Sequence, residues 1–124
     1  MRNVYKANEV NTHIFVNKML INEIGLNEAV IYAELIYEYN LNKETKQLID
    51  GEWFCYTVDN LKLAIGLGRT AQTNAINRLE EFGLIKTKLQ GAPPKRHFKI
   101  IPNTQYWPLD IKVIINIDEI EKLI

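Results

Sequence analysis

The stretch "TVDNLKLAIGLGRTAQTNAINRLEEFGLIKTKLQGAPPKRHFKI", residues 57–100, decides the fold. Thr57 offers a side-chain oxygen to cap a short helix from Val58 to Ile65, and Gly66 stops it. "GLG" makes the turn, and a longer helix is expected from Thr70 to Phe82, with Gly83 as its C-terminal stop. Residues 84–90 then alternate, placing Ile85, Thr87 and Leu89 on one face and Lys86, Lys88 and Gln90 on the other. Residues 95–101 alternate again, with Phe98 and Ile100 inward and Lys95, His97 and Lys99 outward. Two such strands joined by Gly91-Ala92-Pro93-Pro94 read as a hairpin. A short helix, a glycine-containing turn, a longer helix and a basic hairpin predict an α+β fold, a winged helix-turn-helix with a two-stranded wing.

Upstream, 12–18 reads as a short strand and "KMLINEI" as a turn of helix. The segment 25–40 is the clearest helix: Asn27 is placed to cap it, Glu28 suits its first turn, and Val30, Ala33, Ile36 and Tyr37 recur at helical spacing. Residues 41–52 are polar with an Asp-Gly pair and read as a loop, and 53–56 as a short aromatic strand. After Pro102 the character changes. Leu109, Ile111, Val113, Ile115 and Ile117 alternate as in a strand, and "DEIEKLI" begins a helix. The expected organisation is a winged-helix domain over 1–101, with 102–124 a linker plus strand/helix extension that serves as a dimerisation arm or marks a piece of a longer protein.

Bulk properties narrow the function. The chain of 124 residues carries 15 basic and 15 acidic side chains, formal charge +0, and 47% apolar residues, enough for one domain with a real core. Zero net charge gives no global steering towards polyanions, so any such site must be local. One is visible: 84–100 holds five Lys and Arg residues (Lys86, Lys88, Lys95, Arg96, Lys99) and no acid. The single cysteine, Cys55, excludes an intrachain disulfide and a cysteine metal cluster. His13 and His97 stand in no metal-ligand spacing, there is no serine, and no catalytic set stands out, so neither enzyme activity nor a cofactor is expected. "GLGRTA" (66–71) formally matches a dinucleotide fingerprint but follows a helix where that motif needs a strand. No apolar run approaches the ~20 residues of a membrane span, and no secretion signal is apparent, so a cytoplasmic protein without membrane or small-molecule partner is the expectation.

At about 100° per residue, Gln72, Ala75, Ile76, Leu79 and Phe82 fall on the core side of the second helix. Thr70, Thr73, Asn74, Asn77 and Glu81 fall on the outer side, with Arg78 flanking. Asn and Thr suit base-edge and phosphate contacts, and Asn can bond adenine through two atoms. A reading helix beside a cationic wing predicts contact with double-stranded DNA, His97 adding a phosphate contact when protonated. The alternative is an ordinary solvated surface.

"GLNEAVIYAELIYEY", "DGEWFCYTVDNLKLAIGLGRTAQTNAINRLEEFGLI" and "QGAPPKRHFKI" resemble the N-terminal winged-helix domain of replication initiators from Gram-positive phages and plasmids, the RepA-type and DnaD-like replisome organisers. The resemblance covers roughly 12–101. It implies origin recognition, with Arg69, Thr70, Thr73, Asn74 and Asn77 entering the major groove and Lys95, Arg96 and Lys88 gripping the flanking backbone. A homodimer that recruits replisome proteins is implied with it. A transcription regulator using the same surface, and a winged helix used only for protein contacts, are the other two readings.

Overall fold

The computed structural model describes residues 13–103 and Tyr106. The expected strand and helix at 109–124 lie outside the described residues. Within them the order is α1 (Lys18–Glu23), α2 (Leu26–Glu44), β1 (Trp53–Cys55), α3 (Val58–Ile65), α4 (Arg69–Glu81), β2 (Ile85–Gln90) and β3 (Lys95–Ile100). The three strands form an antiparallel sheet in the order β1-β3-β2, so the longer hairpin pairs with itself and β3 is central.

Helix α2 is the centre of the domain. Its residues from Ile31 to Ile36 are all buried, because α1, α3, α4, β1 and β3 surround it. Leu35, Ile36, Phe54, Leu61, Leu79 and Phe98 close the core around it. Fully burying a side chain of this size contributes about 1.5–3 kcal/mol. Phe54 and Phe98 face each other across paired strands with ring centroids 6.0 Å apart.

Several sequence expectations change in the structure. Residues 13–17 form no strand: Asn17 accepts the Leu20 N–H at 3.1 Å and starts α1 instead. Asn27 does not cap α2. Gly25 holds that position at φ 144°, and a Cβ there would come within 2.6 Å of the Glu28 carboxylate. The helix also continues through Glu44 into the segment read as loop. Helix α4 begins at Arg69, one residue early, with Gly68 as its N-cap. Phe82, assigned to the core, is 52% exposed at the C-cap of α4, where its N–H still bonds Arg78 O and the chain turns away at Gly83. Leu89 is 72% exposed, because the hairpin projects past the helices that cover Ile85 and Phe98.

Two buried polar side-chain atoms, the Tyr32 hydroxyl and the Asn40 Nδ2, lack a partner among the described residues. The Tyr32 hydroxyl is enclosed in α2's packing without a hydrogen bond, and burial pushes its phenol up to about 12. An orphaned buried donor costs about 1–3 kcal/mol. Tyr32→Phe is therefore expected to hold or raise the urea midpoint. Because the native phenol titrates above its unfolded value of 10.0, its protonation favours the fold at lower pH, and stability falls from about pH 10 to about pH 12. Urea titrations across that range should show a shallower loss for the phenylalanine variant.

Candidate nucleic-acid interface

The turn between α3 and α4 is built as its residues dictate. Thr57 Oγ1 accepts the Asn60 N–H at 3.2 Å, and Gly66 ends α3 in the left-handed conformation at φ 78°, where an L side chain is strained. Helix α4 then starts at Gly68, which has no side chain to cap it, so its first N–H groups carry no side-chain partner. Arg69, Thr70, Thr73, Asn74 and Asn77 are all exposed, while Gln72, Ala75, Ile76 and Leu79 are buried, matching the expected division except at Phe82.

Gln72 fixes the angle of that helix. It is fully buried; its Nε2 donates to Val58 O at 3.1 Å and to Leu67 O at 2.7 Å, tying α4 to the start of α3 and to the turn. Its Oε1 accepts from Arg96 Nη2 at 2.9 Å, and Arg96 Nε donates to Tyr56 O at 3.2 Å. One amide thus joins both helices of the motif to the central strand of the wing.

The predicted cations separate into groups. Arg96 lies on the inner sheet face with Phe98, its guanidinium carbon 5.0 Å from that ring, so it is a strut between wing and helix rather than a free backbone grip. Burial first, and the nearby Arg69 guanidinium second, push its pKa below the usual arginine value, with Cys55 acting in the opposite sense. Arg78 donates to Ile24 O at 2.9 Å and pairs with Glu28 at 3.5 Å, anchoring α4 to the α1–α2 junction with half its side chain exposed. His97 alternates onto the face of Lys95 and Lys99 but is only 7% exposed, so it does not stand out from the wing. Lys88, opposite His97 in register, reaches across the central strand to place Nζ 4.1 Å from the Trp53 ring centroid, while the His97 Nδ1 bonds to Lys95 O at 2.9 Å. Lys99 pairs with Glu52 at 3.2 Å. Lys86 and Lys95 are exposed.

The Gln72–Arg96 tie and the uncapped start of α4 were missed in the sequence. A glutamine among core positions of an amphipathic helix was the one available signal, since a buried amide must find partners. Among the described residues no group of His, Cys, Asp and Glu could hold a metal ion. None of their helices is long and apolar enough to cross a membrane.

No protein-family model matches the chain, and no curated protein matches it. Solved structures do, among them two of similar length. The fold is a winged helix. One, described as "Structure of Rep-DNA complex", has a TM-score of 0.61 at 18% identity, covering 96% of this chain and 98% of that one. The other, described as "N-Terminal domain of DNA binding protein", has a TM-score of 0.60 at 17% identity, covering 100% of this chain and 98% of that one. At these identities the likeness is one of fold.

Gln72→Ala strands two backbone carbonyls and one guanidinium in the interior. It is expected to lower the unfolding free energy by about 2–4 kcal/mol. Urea denaturation followed by circular dichroism measures it, and a loss below about 1 kcal/mol would contradict the bonding described here.

Proposed function

We propose that this domain binds double-stranded DNA sequence-specifically and serves as the recognition domain of a replication initiator. The observation that carries the reading is the outer face of α4. It combines exposed Thr70, Thr73, Asn74 and Asn77 with an uncapped amino end beside Arg69 and Arg96. A helix of this width fits the major groove, where the amides of Asn74 and Asn77 pair donor and acceptor with adenine edges. The free N–H groups at the start of α4 favour a phosphate oxygen, and Arg69 adds a full charge there. Two guanidinium groups brought close enough to lower the pKa of one are relieved by an anion between them. Lys95, exposed at the wing tip, takes a flanking phosphate.

Origin recognition draws its support from the wording shared with phage and plasmid initiators and from the fold shared with a chain solved as a Rep–DNA complex. Selection of bound sequences from a random DNA pool tests it. Sites recovered within the replication origin of the parent replicon support an initiator, and sites recovered only at promoters replace it with a regulator. The apolar alternation at 109–117 supports pairing of two copies. Sedimentation equilibrium of the full chain should give a dimer mass, and Val113→Asp with Ile115→Asp should shift it to monomer.

Base reading and phosphate grip should separate in titrations. Asn74→Ala or Asn77→Ala is expected to cost about 1–3 kcal/mol on the selected site and much less on a scrambled duplex, with the salt slope unchanged. Arg69→Ala with Lys95→Ala should weaken both duplexes alike and reduce the slope by about 0.9 for each contact removed. Equal losses on both duplexes for the asparagine variants would mean that α4 reads no bases.

A further inference from the structure

The outer face of the sheet is turned away from the helices, since Phe54, Phe98 and Ile100 on the inner face pack into the core. Trp53, Lys86, Lys88, His97 and Lys99 share that outer face by strand alternation and register. Its charges are arranged at a cost. Lys86 stands directly opposite Lys99, and Lys88 follows on the same face of β2. Like charges in direct cross-strand register destabilise a sheet, and of this pair Lys99 is the one that Glu52 answers among the described residues. Trp53 gives the same face an aromatic surface, over which Lys88 now lies. Beside it opens a cavity of about 560 Å³ bordered by Trp53, Ile85, Lys86, Thr87 and Ile101, with the Glu80 carboxylate at its edge accepting the Thr87 hydroxyl.

We propose that this face is a second nucleic-acid site, for single-stranded DNA. Lysines in like-charge register supply the track for a phosphate backbone, and an aromatic ring beside an open, largely apolar cavity supplies the place for an unstacked base. A base on Trp53 displaces Lys88, which then moves to a phosphate. A duplex offers no unstacked base to the ring, and an acidic peptide would engage the lysines while leaving the ring and cavity unused. The lysine track looks away from the packed helices, and the cavity meets α4 at Glu80 near its C-terminal end, so a strand there and a duplex on the amino-terminal turns of α4 are held at once. The inference goes beyond the duplex reading and does not need it for the site itself.

The test uses the full chain carrying Trp107→Phe, which leaves Trp53 as the remaining one of two tryptophans. Its fluorescence is titrated with a short thymidine homopolymer, an abasic strand of equal length and a polyglutamate peptide, each with and without saturating selected duplex. The expected result is saturable quenching by the thymidine strand whether or not duplex is present, with the abasic strand and the peptide about tenfold weaker or worse. Trp53→Leu, read by fluorescence anisotropy of a labelled thymidine strand in the otherwise unaltered chain, should weaken the strand about tenfold and leave duplex affinity within about twofold. Absence of quenching, displacement of the strand by duplex, or equal binding of the abasic strand or the peptide would overturn the proposal. Strand binding in a chain that binds no duplex would instead retain this site and remove the duplex reading.

Discussion

The hydrogen bonds converging on Gln72 set the geometry on which the remaining features rest. A buried amide has two donors and an acceptor to satisfy, and here they are shared among the start of α3, the turn at Leu67 and the guanidinium of Arg96. Apolar packing alone fixes how close α4 lies to its neighbours but leaves it free to roll or slide by fractions of a turn. Directional bonds remove that freedom. The outward set of Thr and Asn side chains therefore has one orientation relative to the wing, and the open end of α4 has one position relative to Arg69 and Arg96.

Much of this was legible in the sequence. Thr57, Gly66 and Gly83 bounded the two helices of the motif because caps and left-handed stops are local chemistry, and the alternation of 84–100 announced the hairpin for the same reason. What the sequence hid depends on neighbours distant along the chain. Arg96 looked like a surface cation because nothing nearby in sequence reveals that residue 72 waits for it across the sheet. His97 alternated to the outer face as expected, yet it is buried there and bonded to Lys95 O, and periodicity cannot report such burial. Leu89 continued the apolar alternation of β2 past the point where the helices end. Gly25 replaced Asn27 at the start of α2 because Glu28, drawn towards Arg78, fills the space a side chain would need.

The neutral overall charge also acquires a spatial meaning. Acids are used inside the domain and at its rear: Glu28 holds Arg78, and Glu34 accepts the Tyr56 hydroxyl in the core. The cations of 84–100 meet few of them. A chain that sums to zero thus presents a local positive field, which is what ionic screening leaves effective at contact distance.

Helix α4 is fastened at both ends, by Gln72 to the turn and by Arg78 to the carbonyl of Ile24. Such a helix is a stiff template. A partner that meets it has to supply the shape change itself, and for a double helix that change is least costly at steps that unstack and bend easily. On the proposed duplex reading, base pairs the protein never touches contribute to which sites it occupies, and stiffness inside the protein becomes selectivity for softness in the polymer.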